Sequence, residues 1–323
     1  MRLAFVSCFS ARLYKNAPMW AVWDEIAALQ PDVLVLLGDS IYLDVGAGHH
    51  MGSLKEALPN DFAIHQHRLF KELLEAPKFK ELVSRPTLKV HAIWDDHDFL
   101  WNDACGAAVY ADKALRPLVH VSRAQFGAFR AALAANLAPG SFPAQPVSWE
   151  PAPPPPGYSC VPLAHNTFLH LTDGRSFKKP LGKKAVMGMA QIDLMEKAMQ
   201  EAPAGAVHLV TTGVVFESRK GESWLDCKAE YERMLELGRR HNLLVLSGDI
   251  HDNNLAAITL APGRFMYEAT SSGAALKTAV IFGSELRNFG MIEVDDATVS
   301  IRIRKSGALQ YPADLDRATW RSI

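Results

Sequence analysis

The chain has 323 residues, of which 49% are hydrophobic and 21% are charged, as is usual for a soluble globular protein. Its 34 basic and 35 acidic side chains give a formal net charge of −1. This balance creates no field that attracts nucleic acid or an anionic membrane, and neither partner is expected. No apolar run is long enough to span a membrane, so no span is predicted.

The N-terminus enters an apolar run at Leu3, with neither room for a signal peptide nor a twin-arginine pair before it. The sequence as given therefore predicts a cytoplasmic protein. The four cysteines are widely spaced and form no Cys-x-x-Cys motif, which argues against a disulfide framework and a structural zinc site. Cys105, Cys160 and Cys227 are expected to be unpaired thiols.

Hydrophobic periodicity predicts alternating strands and helices. The predicted strands are 3–6, 33–37, 88–94, 167–171, 207–216, 243–246, 291–294 and 298–303. The predicted helices are 20–29, 62–74, 79–83, 111–137 with an interruption at Pro117, 190–202 and 227–240. Loops are predicted at 46–53, which contains His49-His50, and at the proline-rich stretch 139–162. That stretch is expected to be a surface excursion of a single domain, 1–323, with a domain linker as the alternative.

A cluster of charge follows one apolar run: Asp95-Asp96-His97-Asp98 comes directly after residues 88–94. So much charge is too costly to bury without partners. The cluster is either a metal site or a solvated acidic loop that caps a helix.

Three other apolar runs also end in potential ligands, namely Cys8, Gly38-Asp39 and Gly248-Asp249-Ile250-His251. Because the carboxyl ends of strands in α/β sheets converge on a crevice, these side chains are expected to meet in one site. A glycine before the aspartate in two of them allows the backbone to turn sharply beside a cation.

These motifs resemble those of the PhoD-like (alkaline phosphatase D) metallophosphoesterases. The matching segments are Ser7-Cys8, Gly38-Asp39-Ser40-Ile41-Tyr42, Trp94-Asp95-Asp96-His97-Asp98-Phe99 with Asn102-Asp103, Asp173-Gly174-Arg175, Ser247-Gly248-Asp249-Ile250-His251 and Asn288-Phe289-Gly290. The resemblance implies an α/β (α+β) fold, a four-layer sandwich of two mixed β-sheets flanked by helices. It also implies a phosphoric ester hydrolase that acts on small molecules, either a phosphomonoesterase or a phosphodiesterase.

The resemblance further implies a centre of two metals, with Asp39 as the bridging carboxylate and Tyr42 as a phenolate ligand. The implied metal ligands are Cys8, Asp39, Tyr42, Asp96, Asp249 and His251. Thiolate, phenolate and imidazole suit Fe³⁺, whereas a carboxylate shell suits Ca²⁺. Manganese, cobalt and zinc are alternatives.

Two such cations would activate a bridging water for in-line attack on phosphorus. His97 would protonate the leaving group, and Asp98 would hold its imidazole. Arg175 would either bind phosphate or form an ion pair with Asp173 or another acid. Asn102, Asp103 and Asp252 are candidates for a further metal or substrate site, with helix capping or an exposed turn as the alternative.

One departure from the family pattern is Cys227, which stands where the family usually carries a tyrosine. The N-terminal extension common in the family is also missing, which favours an intracellular role over periplasmic phosphate scavenging. Three alternatives remain: a non-catalytic metal-binding or regulatory protein, a hydrolase with Cys8 as nucleophile, and a phospholipase-type diesterase.

Overall fold

The structure is a computed structural model that describes residues 1–46, 50–152, 157–180, 184–217 and 222–323. Of the His49-His50 pair, His49 lies outside the described residues, and so do residues 153–156 of the proline-rich stretch. Across the described ranges, no helix has both the length and the apolar character needed to cross a membrane.

Fifteen strands are found in the described part of the chain. They are β1 (Arg2–Val6), β2 (Val33–Leu36), β3 (Lys89–Ala92), β4 (Ser159–Leu163), β5 (Thr167–Leu171), β6 (Val207–Thr211), β7 (Asn242–Ser247), β8 (Asn253–Ala261), β9 (Arg264–Ser271), β10 (Leu276–Ala279), β11 (Phe282–Leu286), β12 (Asn288–Val294), β13 (Thr298–Lys305), β14 (Ala308–Asp316) and β15 (Arg321–Ser322).

The α-helices of the described residues lie mainly between the first seven strands. They are α1 (Ala11–Tyr14), α2 (Val22–Ala28), α3 (Met51–Glu56), α4 (Pro59–Leu74), α5 (Pro77–Val83), α6 (Asp96–Phe99), α7 (Gly106–Ala111), α8 (Arg116–Ala134), α9 (Met189–Glu201) and α10 (Lys228–Arg240). Two short 3₁₀ helices span Pro18–Ala21 and Trp224–Asp226.

The strands form two large mixed sheets. The first has the order β15-β14-β13-β12-β1-β2-β3, in which β1, β2 and β3 are parallel and the other pairs are antiparallel. The second has the order β4-β5-β6-β7-β9-β8, with parallel pairing from β5 through β9 and antiparallel edges. A separate hairpin consists of β10 and β11.

The two sheets pack face to face through alternate side chains of their central strands. In β1, Leu3 and Phe5 face the second sheet, while Ala4 and Val6 face the helices on the outer side. On the other sheet, Leu244 of β7 joins the same inner core. Strands buried on both faces explain the continuous apolar runs in the sequence.

Helices cover the outer face of each sheet. Side chains of α2, α4, α5 and α8 form the core outside the first sheet, and side chains of α9 and α10 form the core outside the second. The expected four-layer sandwich is therefore confirmed.

The main differences from the sequence prediction concern the ends of elements. The strand predicted at 207–216 stops at Thr211 in β6. The helix predicted at 111–137 is observed as α8 (Arg116–Ala134), while α7 ends at Ala111. The predicted interruption at Pro117 is absent, because Pro117 lies in the first turn of α8, where its missing N–H breaks no helical hydrogen bond. The end of the proline-rich stretch, predicted as a loop, forms β4, and its Pro162 is tolerated because β4 is an edge strand.

A chain of buried histidines joins β5 to β6. The Nε2 atom of His170 lies 3.0 Å from Nδ1 of His208, and Tyr158 Oη lies 2.8 Å from Nδ1 of His170. Burial lowers the pKa of His170 to about 3 and that of His208 to about 4, and repulsion from neighbouring imidazoles adds to both shifts. Both imidazoles are therefore neutral in the folded protein at neutral pH.

We expect these histidines to make the fold sensitive to mild acid. In the unfolded chain these histidines bind protons below about pH 6.5, whereas in the folded protein they stay neutral. Each histidine therefore lowers the free energy of unfolding by about 2 kcal/mol between neutral pH and about pH 5. In His208→Asn the free energy of unfolding should fall less over this range, as measured by urea denaturation. The exposed His50→Asn should keep the wild-type slope, and an unchanged slope in His208→Asn would contradict the assignment.

Candidate metal centre

Four strand ends meet at one edge of the sandwich. Cys8 follows β1, Asp39 follows β2, Asp96 begins α6 after β3, and His251 follows β7 of the other sheet. The backbone joins two of these ends directly, because the N–H groups of Cys8 and Phe9 donate to the carbonyls of Gly38 and Asp39. Convergence of the strand ends, expected from the sequence, thus brings ligand-type side chains together.

The first group contains a thiol, a carboxylate, a phenol and an imidazole. Ligand atoms of Cys8, Asp39 and His251 all lie within 4.8 Å of one another. Tyr42 Oη lies 3.5 Å from Asp39 Oδ2 and 3.4 Å from His251 Nε2. Because His251 Nδ1 donates to the carbonyl of Thr278 at 3.1 Å, its Nε2 carries no proton and is free to bind a metal.

The second group consists only of carboxylates. Oxygen atoms of Asp39, Asp95, Asp96 and Asp249 lie within 4.8 Å of one another. Asp39 therefore belongs to both groups. Its Oδ2 faces Cys8 at 3.4 Å, whereas its Oδ1 is buried and has no hydrogen-bond partner among the described residues.

These donor sets fit metal ions. A buried carboxylate oxygen without a partner is costly, and a cation offsets that cost. The first group, with sulfur, nitrogen and oxygen donors, has the ligands of a transition-metal site. The second group, with oxygen donors from four aspartates, has the ligands of a hard-cation site.

The backbone at the centre is held in an uncommon conformation. Four of the residues with ligand-type side chains have φ in the left-handed region: Cys8 at 59°, Asp39 at 52°, Asp249 at 70° and His251 at 49°. Residues other than glycine rarely adopt such angles, and each costs of order 1 kcal/mol or more. Strain concentrated at one place is typical of a functional site.

Two glycines let the backbone approach the aspartates closely. At Gly38, which has φ +106°, a Cβ atom would lie 2.5 Å from Cβ of Asp95. At Gly213 after β6, a Cβ atom would lie 2.4 Å from an oxygen of Asp95. Any side chain at either position would displace the Asp95 loop, so glycine is required there.

The partner of His97 differs from the sequence prediction. His97 Nδ1 lies 2.5 Å from Asp44 Oδ1, so Asp44 and not Asp98 orients the imidazole. The other oxygen of Asp44 accepts from the backbone N–H of Asn102 at 2.8 Å. A ring nitrogen of His97 also lies within 4.8 Å of oxygens of Asp39 and Asp96, so the imidazole borders the metal ligands.

Asp98 instead holds two loops together. Its Oδ1 accepts from the backbone N–H groups of Ser40 and Ile41 at 2.8 Å and 3.0 Å, and its Oδ2 accepts from that of Asp95 at 3.1 Å. The predicted role of Asp98 beside His97 is wrong because neighbouring residues of a helical turn point in different directions. Asp98 fixes the backbone that carries Asp39.

Arg175 lies in the loop after β5 and is fully buried. Its guanidinium pairs with Asp95 and with Glu222, and its Nη2 lies 3.8 Å from Asp96 Oδ2. Lys178 also pairs with Glu222. The ion-pair alternative is therefore observed, with acids other than Asp173, which accepts from the backbone N–H of Arg175.

The three remaining candidates lie at different places. The N–H of Asp103 donates to Asp96 Oδ2 at 2.6 Å, and its carboxylate forms a third group with Asp96 and Glu222. Asn102 is exposed and donates its side-chain amide to Asp103 at 2.8 Å. Asp252 belongs to none of the ligand groups found in the described ranges, and its Oδ1 lies 4.0 Å from the ammonium of Lys305.

Burial and mutual repulsion dominate the electrostatics of the carboxylates. Burial raises the pKa of Asp39 well above its usual value, that of Asp95 to about 6 and that of Asp249 to about 8. Burial also acts to raise the pKa of Asp96, but the charges of Arg175 and His97 outweigh it and lower that pKa. A bound cation would favour the ionised form of each carboxyl and release protons.

Burial favours the uncharged form of the thiol, the phenol and the His251 imidazole as well. Burial raises the pKa of Cys8 to about 11 and that of Tyr42 well above its usual value, with nearby negative charge adding to both shifts. Burial lowers the pKa of His251, so this imidazole stays neutral as a metal ligand must. For His97, burial is outweighed by the charges of Asp96 and Asp39, and the pKa is raised.

Sequence reasoning missed Asp44, Glu222 and Ser272. Ser272 donates to Cys8 Sγ at 3.2 Å and accepts from the N–H of His251 at 2.9 Å, so it links two ligands across the sheets. Asp44 lies only two residues after Tyr42, so its position next to the Gly38–Tyr42 motif was a signal that could have identified it. Glu222 and Ser272 carry no local signal, because each reaches the centre only through the folding of its loop.

Comparison with solved structures identifies the fold. The chain matches the structure of PhoD with a TM-score of 0.65 and 15% sequence identity, over 100% of this chain and 71% of that chain. The resemblance to PhoD expected from the motifs is confirmed at the level of the fold. Vps29 from Entamoeba histolytica complexed with zinc matches with a TM-score of 0.39 and 9% identity, over 98% of this chain and 99% of that chain.

A predicted phosphoesterase from Streptococcus pneumoniae TIGR4 matches with a TM-score of 0.34 and 9% identity, over 98% of this chain and 97% of that chain. No model of a protein family matches the sequence, and no curated protein matches it.

The burial of Cys8 predicts a clear order of thiol reactivity. Cys8 has no exposed surface and Cys227 is buried, whereas Cys105 and Cys160 are partly exposed. In the native protein, iodoacetamide should therefore modify Cys105 and Cys160 first, because reaction requires an accessible thiolate. Peptide mass spectrometry over time measures the order, and rapid modification of Cys8 would contradict its placement.

Proposed function

We propose that this protein is a metal-dependent hydrolase of small-molecule phosphate esters, with two metal ions held at the strand ends. The observation that carries the proposal is the position of Asp39, whose carboxylate belongs both to a group with Cys8 and His251 and to a group of aspartates. The similarity of the fold to PhoD supports the proposal.

The residues that would hold the metals are Cys8, Asp39, Tyr42 and His251 for the first, and Asp39, Asp96 and Asp249 for the second. Sulfur, phenol and imidazole donors favour Fe³⁺ at the first site, and oxygen donors favour Ca²⁺ at the second. Manganese, cobalt and zinc are alternatives, since affinity order does not decide which metal a protein carries in cells. Bound there, two cations lower the pKa of a water molecule and neutralise charge on phosphoryl oxygens.

We assign His97 as the acid that protonates the leaving-group oxygen. Its ring borders the ligand oxygens of Asp39 and Asp96 and packs beside Tyr42, with ring centroids 4.3 Å apart. The contact of Nδ1 with Asp44 leaves Nε2 as the nitrogen that can reach a substrate. Asp44 is thus a positioning residue, which fixes the tautomer and orientation of the imidazole.

Arg175 and Lys178 have an electrostatic role in this proposal. Both place positive charge behind the aspartate group, and Arg175 holds Asp95 through a buried ion pair. The Nη2 group of Arg175 is buried 3.8 Å from Asp96 Oδ2 and has no hydrogen-bond partner in the described part of the chain, so a phosphoryl oxygen that reaches Asp96 would meet this donor. A contact between Arg175 and phosphate is therefore part of the proposal.

The alternatives have less support. A nucleophilic Cys8 is disfavoured because its thiol is buried and its pKa is raised to about 11, so the thiolate would be scarce. A non-catalytic metal-binding protein would not need an imidazole held by Asp44 beside the ligands. A phospholipase-type diesterase uses the same centre and differs only in substrate.

Metal content tests the two-site arrangement. Purified wild-type protein should contain at least two metals per chain by elemental analysis, together with activity on nitrophenyl phosphate or bis-nitrophenyl phosphate. Asp39→Asn should lose both metals because it weakens both sites, whereas Asp249→Asn should lose only the harder cation. Turnover of the two substrates decides between monoester and diester preference.

The surface substitution Asp61→Asn in α4 is the matched control and should keep both metals and full activity. The proposal fails if the wild-type protein neither retains metal nor hydrolyses either ester after loading with iron, calcium or manganese.

Leaving-group dependence tests His97. His97→Asn should lower kcat for an alkyl phosphate by about 10²- to 10⁴-fold, since an alkoxide departs only with a proton. The kcat for nitrophenyl phosphate should fall less, because nitrophenolate is a stable anion that departs without a proton. Asp44→Asn should show the same pattern with a smaller loss, and both variants should retain their metals.

The partly exposed His165→Asn is the control and should match the wild type with both substrates. An equal loss for the alkyl and nitrophenyl esters in His97→Asn would exclude the assigned role. Unchanged kcat with both esters would favour a function that does not depend on this acid.

A further inference from the structure

A cavity is lined by Trp94, the residue that precedes Asp95 of the candidate metal centre. It has a volume of about 290 Å³ and lies between α8 and the strands β4 and β5. The lining residues that matter here are Trp94, Arg123, Phe126, Arg130, Tyr158 and Asp173. None of the metal-ligand groups includes any of these side chains, so the cavity is distinct from the centre.

Two arginines give the cavity its charge. Arg123 and Arg130 lie seven residues apart on α8, two helical turns, and so share one face of the helix. Neither forms a hydrogen bond or an ion pair with another described residue, and Arg123 Nη1 is buried without a partner. By contrast, Arg116 at the start of α8 donates to the carbonyl of Tyr110 at 2.7 Å.

One acid faces these cations, but its first oxygen is already saturated. Asp173 Oδ1 accepts from the indole Nε1 of Trp94 at 2.8 Å and from the backbone N–H groups of Arg175 and Ser176. Two guanidinium groups thus face a single carboxylate, and the cavity carries excess positive charge. Both arginines are half-buried, and a partly desolvated guanidinium without a hydrogen-bond acceptor is unfavourable, so a bound oxyanion would relieve the cost.

The other walls are flat and apolar. The rings of Trp94 and Phe126 are stacked with centroids 4.8 Å apart and an interplanar angle of 24°. The side chains of Ile93 and Leu171 continue this surface, and Tyr158 lies on the β4 side. Such walls favour a flat apolar group rather than a hydrated ion alone.

We propose that this cavity binds a small ligand in which a carboxylate or phosphate group is attached to a flat apolar body. Arg123 and Arg130 bind the oxyanion, and the apolar body packs against Trp94 and Phe126. The site is independent of the hydrolytic function proposed above, because it shares no ligand residue with the metal centre.

Calorimetric titration of the metal-loaded protein tests this site with three probes: phenylphosphonate, benzoate and inorganic phosphate. Phenylphosphonate cannot be hydrolysed as an ester, and comparison with benzoate shows which oxyanion the arginines prefer. Inorganic phosphate should bind at least about 10-fold more weakly than phenylphosphonate, because it lacks the apolar body.

Arg123→Gln and Arg130→Gln should each weaken binding of the preferred aromatic probe by about 10- to 100-fold, as expected for a lost hydrogen bond to a charged group. Arg116→Gln, on the same helix but outside the cavity, should bind as the wild type does. Probe bound at the metal centre would be unaffected by any of the three substitutions, so the variants separate the two sites.

Gly127→Glu provides a variant that should fold without difficulty. A Cβ atom at Gly127 meets no other atom within 4 Å, and Gly127 lines the cavity on α8. A glutamate there lies four residues after Arg123 and three before Arg130, so it can pair with both guanidinium groups. Binding of the aromatic probe should then be lost, while metal content stays at the wild-type value.

The proposal is overturned if neither aromatic probe binds to the wild-type protein at millimolar concentration. It is also overturned if the arginine variants and Gly127→Glu bind the probe as tightly as Arg116→Gln does. If the wild type and every variant lack metal-dependent activity but show the expected binding pattern, the proposed hydrolase function is contradicted and the proposed binding site is still supported.

Discussion

The buried negative charge at the strand ends is the constraint on which the centre depends. Asp39, Asp95, Asp96 and Asp249 lie within a few ångströms of one another. Among the described residues, the opposite charge at this cluster comes from Arg175, which pairs with Asp95, and from His97, which borders Asp39 and Asp96. Such an arrangement is costly unless cations balance it. Left-handed backbone conformations at Cys8, Asp39, Asp249 and His251 occur at this cluster, and Gly38 and Gly213 allow the backbone to approach Asp95 closely.

Both sheets contribute ligand-type residues to this cluster. The parallel strands β1, β2 and β3 deliver the thiol and most of the carboxylates from one sheet, and β7 delivers Asp249 and His251 from the other. The packed inner core between the sheets therefore fixes the distance between the two sets of ligands. Ser272, at the end of β9, contacts both Cys8 and the backbone of His251 and connects the two sets directly.

Much of this architecture could be predicted from the sequence, because buried parallel strands read as apolar runs and their ends face one crevice. The positions of Cys8, Asp39, Asp96 and His251 follow from that rule. The role of Asp98 could not be predicted so simply. Adjacency to His97 suggested a contact, but the helical turn directs Asp98 towards the backbone of Ser40 and Ile41 instead.

Contacts made by loops were beyond the same reasoning. Asp44 reaches His97 from the loop after β2, and Glu222 reaches Arg175 from the loop after β6 of the same sheet. Asp44 stands close enough to the motif that ends at Tyr42 to be a candidate, but its pairing with His97 and that of Glu222 with Arg175 do not follow from spacing in the sequence. The cavity beside Trp94 is a similar case, since its two arginines look like ordinary surface residues of an amphipathic helix.

The most direct test of the account is a crystal structure of the metal-loaded protein with anomalous scattering recorded at the absorption edge of the metal found by elemental analysis. We expect metal density on both sides of the Asp39 carboxylate, one peak beside Cys8, Tyr42 and His251 and the other beside Asp96 and Asp249. Well-ordered side chains with no metal density next to Asp39, at full metal loading, would contradict the account.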